Sequence, residues 1–153
     1  MEGYHSKLNY FLVQVFNEIL RIEEDRLRIG EFNNLSVREM HVIEAVCIAN
    51  DTTGKNRATD IAKALHISAG TLTTAVAQLE KKGCLLRQQD KKDKRIVRLY
   101  ATDKGKRADE VHQRFHAQMV ADVMDTLEED ELACLVKGLE SLQAFFDKNK
   151  NKE

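Results

Sequence analysis

The chain has 153 residues, 42% of them hydrophobic and 32% charged, a composition typical of a soluble, helix-rich protein and not of a disordered one. No stretch approaches the roughly 20 consecutive apolar residues of a membrane helix, and the polar N-terminus does not resemble a signal peptide. Three widely spaced cysteines fit reduced thiols, so we expect a cytoplasmic protein with no membrane partner.

The formal net charge of −1 hides a strong asymmetry along the chain. Residues 81–107 contain eleven Lys and Arg against three Asp, a net charge of +8, whereas the remainder carries −9. Cations concentrated in one segment are what a polyanion-binding surface needs. A solvated helix face is the usual alternative for a Lys-rich run, but this run falls in a predicted hairpin.

Two helices are predicted in the first third of the chain. The first spans residues 4–28, where apolar side chains recur at helical spacing, and Gly30 is its expected C-cap. The second begins at a capping box over residues 36–39 and frays near Asn50. Its inward-facing residues are Met40, Ile43, Val46 and Cys47. The polar run over residues 50–56 predicts a loop.

The middle of the chain predicts a helix-turn-helix. A short helix over residues 58–65 and a tight link lead to Ser68, the N-cap of a helix that runs to Lys82 and is closed by Gly83. Two short helices joined by about three residues match this motif.

A hairpin with a cationic tip follows the helix-turn-helix. The β-prone runs 85–89 and 95–100 flank the polar turn 90–94. Such a hairpin is a wing, whose acids should organise the turn through Asx-type bonds or pair with Arg95. The predicted fold class is mainly α with a small β-wing, a winged helix-turn-helix over residues 36–101.

Two long helices are predicted at the end of the chain. Thr102 caps the first, which runs to about Val123, and a second capping box over residues 126–129 opens the last. The inner face of the first should carry Val111, Phe115, Met119 and Val123. Because a helix-turn-helix does not need the long helices at 4–28 and 103–148 to fold, we expect them to form a homodimer. The whole chain, 1–153, is then one domain.

The residues expected to contact DNA lie on the exposed face of the 68–82 helix and in the wing. Leu72, Val76 and Leu79 share the opposite, core-facing stripe. Short polar side chains suit close approach to base edges in a major groove, and wing cations suit phosphates or a minor groove. The predicted DNA-binding residues are Arg57, Ser68, Gly70, Thr71, Thr73, Thr74, Gln78, Lys91, Lys92, Asp93, Lys94 and Arg95.

These motifs resemble the MarR family of transcriptional regulators. The resemblance rests on residues 58–62, 78–83 and 99–105 and on the wing motif, and it covers essentially the whole chain. The family's wing reads D-x-R-D-x-R; Asp90, Asp93 and Arg95 match it, while Lys92 replaces the first arginine and loses its planar fork. The resemblance implies a dimeric DNA-binding regulator that is not an enzyme and needs no cofactor.

Within the family, residues 18–24, 36–41 and 70–76 resemble the branch that represses fatty-acid biosynthesis. This resemblance implies a repressor at a pseudo-palindromic operator in double-stranded DNA, with acyl carrier protein bearing a long acyl chain as corepressor. Carrier protein is acidic, and an apolar groove between the end helices would suit an acyl chain. The basic residues expected to meet carrier protein are Lys104, Lys106, Arg107 and Arg114.

Several other functions stay open on the sequence. His112 and His116 are spaced i, i+4 and could share a metal, but two histidines make half a site, so no metal is predicted. Cys47 should be a buried small hydrophobe, whereas a partly exposed Cys84 would allow a thiol sensor. A regulator that responds to a small phenolic or lipophilic molecule, a metal or an oxidant is the alternative to acyl sensing, and a plain helical interaction module is another. No phosphate loop, G-x-S-x-G or H-E-x-x-H motif indicates an enzyme.

Overall fold

The computed structural model describes residues 2–150, so Met1 and residues 151–153 of the predicted domain lie outside the described residues. Two π-helical stretches, Phe11–Val15 and Ala49–Thr53, accompany the helices and strands. In chain order these are α1 Glu2–Tyr10, α2 Phe16–Ile29, α3 Val37–Ile48, α4 Ala58–Ala64, α5 Ala69–Lys81, β1 Leu85–Gln89, β2 Val97–Ala101, α6 Asp103–Met124 and α7 Glu129–Lys150.

The chain forms two compact units, Met1–His112 and Gln113–Glu153. In the first, α3 packs on α2, α4, α5 and β2, and β1 packs on α5. The inward stripe predicted for α3 is confirmed, as is that of α5: Met40, Ile43, Val46, Cys47, Leu72, Val76 and Leu79 are all buried. Within residues 2–150, none of the helices is long and apolar enough to cross a membrane.

The caps predicted around the helix-turn-helix are confirmed. Ser36 accepts a hydrogen bond from the Glu39 N–H while the Glu39 carboxylate accepts from the Ser36 N–H, a complete capping box. Gly83 takes the left-handed conformation (φ 73°), and the Cys84 N–H donates to the Leu79 carbonyl across it. This Schellman closure ends α5 where the sequence predicted.

The predicted loop after α3, near Asn50, and the predicted start of α7, near Thr126, are wrong. The predicted loop 50–56 is shorter, because the backbone continues as the π-helical stretch Ala49–Thr53 until Gly54 turns left-handed (φ 66°). The predicted capping box 126–129 does not form. The Thr126 hydroxyl donates instead to the Val123 carbonyl at the end of α6, and α7 begins at Glu129.

The residues predicted to face inward from α6 are also not the ones that are buried within one chain. The buried residues of this helix are Gly105, Ala108, Asp109 and His112, a stripe of small and polar side chains. Val111 and Val123 are exposed, and Phe115 and Met119 are half-buried. The N-terminal helix (α1, the π-helical stretch Phe11–Val15 and α2) and α7 likewise leave apolar residues exposed, among them Leu8, Phe11, Phe16, Val136, Leu139 and Phe146.

A tight junction joins the start of α6 to the start of the wing. The Thr102 hydroxyl accepts from the Gly105 N–H, which confirms it as the cap of α6, and donates to the carbonyls of Gly83 and Cys84. A Cβ on Gly105 would overlap the Cys84 carbonyl oxygen. Only glycine therefore fits here without moving the backbone.

Gly105→Ala should lower the free energy of unfolding by about 1–3 kcal/mol, because backbone must move to admit the methyl group. Gly70→Ala is the matched control, since a Cβ there meets only the Ser68 Oγ, at 3.9 Å. Urea unfolding measures the free energy of unfolding of both variants. Equal values would show that the contact between Gly105 and the Cys84 carbonyl does not constrain the backbone.

Candidate DNA-binding surface

Helix α5 presents one polar face to solvent and buries the other. Leu72, Val76 and Leu79 are at most 2% exposed. The Ser68 Oγ accepts from the Thr71 N–H at 3.1 Å, so the helix begins at the predicted N-cap. The exposed face carries the predicted residues Gly70, Thr71, Thr73, Thr74 and Gln78.

The threonine hydroxyls on this face are hydrogen-bonded within the helix. Thr73 Oγ1 donates to the Ala69 carbonyl at 2.8 Å, and Thr74 Oγ1 donates to the Gly70 carbonyl at 3.1 Å. Because the hydroxyl hydrogens are used in this way, Thr73 and Thr74 offer a ligand their oxygen lone pairs and methyl groups. Such groups can accept from an adenine or cytosine amino group or contact a thymine methyl.

Gly70 has no structural reason to be glycine in this chain. It lies in the first turn of α5 with ordinary helical backbone, and a Cβ would have room. Alanine is the better helix former by about 0.5–1 kcal/mol, so the absence of a side chain here favours close approach of a ligand to the backbone.

The wing is an antiparallel hairpin in which Leu85 pairs with Ala101 and Gln89 with Val97. The second strand begins two residues later than predicted, at Val97, so Arg95 lies in the turn. The predicted Asx-type bonds are present: Asp90 Oδ1 accepts from the N–H groups of Lys92 and Asp93. Asp93 Oδ1 accepts from the Arg95 N–H and lies 3.6 Å from Arg95 Nε.

Sequence reasoning missed the residue that anchors this turn, Arg98. Its Nε donates to Asp90 Oδ2 at 2.6 Å and its NH1 donates to Asn56 Oδ1 at 2.8 Å. The Arg98 guanidinium, helped by the N–H groups of Lys92 and Asp93, lowers the pKa of Asp90 to about 2. Asp90 and Arg98 are only eight residues apart on either side of a predicted turn, so the sequence could have suggested this pair, whereas Asn56 lies 42 residues from Arg98 and no sequence pattern marks it.

Two asparagines also bind β2 along the edge that does not pair with β1. The Asn50 side chain donates to the Leu99 carbonyl and accepts from the Ala101 N–H, each at 3.0 Å. The Asn56 carbonyl accepts from the Leu99 N–H at 2.9 Å. A two-stranded hairpin is marginal alone, and these bonds fix the wing to the rest of the first unit.

The cations of residues 81–107 divide into an anchored group and an exposed group. Lys82 pairs with Glu39 at 2.7 Å, Arg87 with Glu80 at 2.6 Å, and Arg98 with Asp90. The wing tip instead exposes Lys91, Lys92, Lys94 and Arg95, and the Arg95 side chain is 95% exposed. Four exposed cations are therefore grouped at the tip, while Lys81, Lys106 and Arg107 are exposed elsewhere in the segment.

Arg57 and the four basic residues predicted to meet carrier protein lie outside α5 and the wing. Arg57 is exposed and directly precedes α4. Lys104 donates to the Lys82 carbonyl at 2.9 Å and is half-buried, whereas Lys106 and Arg107 are exposed. Arg114, also exposed, belongs to the second unit.

The two buried cysteines, Cys47 and Cys84, give little support to a thiol sensor. Cys47 is buried as predicted, and burial raises its pKa to about 12. The expectation that Cys84 is partly exposed is wrong, because its side chain is fully buried; burial raises its pKa too. Since the thiolate is the reactive form, both thiols are poorly placed to react.

Ionised Asp90 should stabilise the wing above about pH 4, the ordinary range of its carboxyl group, and lose that effect as the pH falls toward 2. An NMR titration of the Asp90 carboxyl should give a midpoint near 2 in the native protein. In the Arg98→Gln variant the midpoint should move toward 3.8, the ordinary value. A native midpoint near 4 would show that Arg98 does not hold the turn.

Known proteins share this arrangement. The model of the MarR family matches residues 47–97, which hold the helix-turn-helix and most of the wing. The uncharacterized HTH-type transcriptional regulator YkoM of Bacillus subtilis is 30% identical over 141 residues, 88% of this chain and 89% of its own.

Two solved structures of DNA complexes are similar over nearly the whole chain. FabT of Streptococcus pneumoniae in complex with DNA is 34% identical, with a TM-score of 0.86, covering 94% of this chain and 98% of its own. The MepR–DNA complex of S. aureus shares the fold at 19% identity, with a TM-score of 0.74 over 91% of this chain and 97% of its own. The chain therefore belongs to the MarR family of winged-helix, DNA-binding transcriptional regulators, which are not enzymes.

Proposed function

We propose that this regulator acts in the cytoplasm as a homodimeric repressor of fatty-acid biosynthesis genes. It would bind a pseudo-palindromic operator, with a long-chain acyl-acyl carrier protein as corepressor. The observation that carries DNA recognition is the exposed face of α5, where Gly70 leaves its backbone open, beside a wing tip with four exposed cations. The finer assignment is supported by the 34% identity to FabT over 94% of the chain.

Helix α5 would read the operator in the major groove. Gly70 lets the first turn approach the base edges, and Thr73 and Thr74 present methyl groups and hydroxyl lone pairs. The exposed Gln78 can bond adenine in a bidentate manner. The N–H groups of the first turn, together with the helix dipole, favour a phosphate near Ser68 at the helix N-terminus.

The wing would supply the sequence-independent part of the affinity. Arg95 and its neighbouring lysines project from a turn fixed by Asp90 and Asp93, so little ordering is required when they meet phosphates or a narrow minor groove. In this proposal Asp93 shapes the turn and does not itself touch DNA. Arg57, exposed before α4, is a further phosphate contact.

The dimer would form from the terminal helices. In one chain the N-terminal helix exposes Phe16 by 66% and Leu8 by 61%, and α7 exposes Val136 by 52%. Exposed apolar surface of this kind marks an interface, and two-fold pairing is the common outcome for identical chains. A two-fold dimer would carry two α5 helices, which would suit a pseudo-palindromic operator.

Acyl carrier protein would bind through charge and its acyl chain. Lys106 and Arg107 are exposed near the start of α6 and suit an acidic partner, although Arg107 NH2 lies 3.8 Å from Glu31 Oε1 and Lys104 is engaged by the Lys82 carbonyl. The test is a titration of DNA from the protein's own upstream region with and without long-chain acyl carrier protein, using the unacylated form as control. Tighter binding with the acyl form alone supports the corepressor, and no effect removes it while leaving DNA binding intact.

Gly70→Ala should weaken operator binding by about tenfold, a loss of about 1.4 kcal/mol, because the new methyl group meets the DNA. The same change should not lower the free energy of unfolding, since the methyl group has room in the free protein. Fluorescence anisotropy with operator and scrambled DNA measures the first effect, and urea unfolding the second. Unchanged operator affinity would place α5 outside the groove.

Arg95→Ala should weaken binding to operator and scrambled DNA alike and reduce the slope of log K against log salt by about 1. Arg28→Ala is the control, since Arg28 is an exposed arginine on α2 outside the proposed surface. Unchanged affinity for scrambled DNA in the Arg95 variant would refute the role given to the wing.

A further inference from the structure

Two exposed threonines on α5 use their hydroxyl hydrogens within the helix. Thr73 Oγ1 donates to the Ala69 carbonyl and Thr74 Oγ1 to the Gly70 carbonyl, each four residues earlier. Each bond holds the oxygen over the preceding turn, so the methyl group, which is the other branch at Cβ, is directed away from that carbonyl. The two side chains therefore present methyl groups to a ligand and not hydrogen-bond donors.

Thr71 is the contrast on the same face of the helix. Its hydroxyl lies 2.8 Å from Ser68 Oγ, and either oxygen can donate in that bond. Thr71 can therefore turn its hydrogen toward a base, whereas Thr73 and Thr74 would first have to break a bond to the backbone. Breaking such a bond costs free energy unless the DNA offers an equally good acceptor.

The first two turns of α5 suit contact with the methyl groups of bases. Residues 69–77 contain no charged residue and no Asn, Gln or His, so no side chain there can bond guanine or adenine in a bidentate manner. Thymine is the base that carries a methyl group in the major groove. A threonine methyl group is short and reaches it only if the backbone comes close, which Gly70, one turn before Thr74, allows.

We propose that Thr73 and Thr74 recognise the operator through their methyl groups, by apolar contact with the C5-methyl groups of thymines. Water leaves both methyl groups when they meet, which favours thymine over a base without the methyl group. Each contact should contribute about a fourfold preference. This role rests on the proposed position of α5 in the major groove, and it names the feature of the bases that the two residues recognise.

The test compares two versions of one DNA fragment, the protein's own upstream region synthesised with either thymine or uracil, which lacks the C5-methyl group. Fluorescence anisotropy competition gives the ratio of the two affinities for each protein. The native chain should bind the uracil version about tenfold or more weakly, since a dimer would make several such contacts. The double variant Thr73→Ser, Thr74→Ser loses the methyl groups and keeps the hydroxyls, so its ratio should be smaller by about fivefold or more.

The double variant Thr73→Val, Thr74→Val keeps the methyl groups and loses the hydroxyls, so it should keep the native preference for thymine. Thr126→Ser is the matched control, because Thr126 is an exposed threonine outside the proposed DNA contacts whose hydroxyl also donates to a backbone carbonyl, that of Val123. It should keep the native ratio. Uracil also alters the shape of DNA, but that change acts on every variant alike and cancels in the comparison.

Urea unfolding of each variant checks the fold, and we expect all of them to fold because the substituted residues are exposed. Equal affinity of the native chain for the two versions of the DNA overturns the role of the methyl groups while leaving DNA binding intact. Loss of the preference in the valine variant, or its retention in the serine variant, overturns that role as well. A native chain that binds its upstream region no better than scrambled DNA contradicts the proposed function, and with it the position of α5 on which this role rests.

Discussion

The carbonyl group of Cys84 is the point on which the geometry of the DNA-binding unit depends. It follows the Schellman closure of α5, begins the wing, accepts from the backbone and hydroxyl of Thr102, and lies against Gly105 of α6. One peptide thus links the end of α5, both ends of the hairpin and the start of α6. Because only glycine at 105 allows this approach, the position of α6 against the start of the wing is set by a backbone contact and not by adaptable side chains.

Most of the helix-turn-helix could be predicted from sequence because its signals are local. Ser36, Ser68 and Gly83 act on residues within one helical turn, and the hairpin is marked by adjacent β-prone runs around a polar turn. The local prediction that failed depends on which of several neighbouring groups forms a hydrogen bond. The spacing at residues 126–129 suits a capping box, but Thr126 stays in the turn that ends α6, where its hydroxyl donates to the Val123 carbonyl, and the Glu131 carboxylate accepts from the Glu128 N–H at the start of α7.

The site was predicted in part, and the missing parts are long-range. Asn50 and Asn56 hold β2 across 42 or more residues of sequence, and Arg98 joins Asn56 to the wing. Contacts between such distant residues leave no periodic pattern in the sequence, so they could not be predicted from it. The stripe predicted for α6 was wrong in one chain because Gly105 and Ala108 allow closer packing than the larger apolar residues, which stay exposed or half-buried.

The exposed cations at the wing tip have a consequence for how the protein finds its target. The segment 81–107 carries +8 while the rest of the chain carries −9, so a nearby duplex attracts this region and repels much of the remainder. Encounters would then favour wing-first orientations, and the association rate would fall as salt shortens the Debye length. A chain with almost no net charge can in this way search DNA rapidly without binding indiscriminately through its other surfaces.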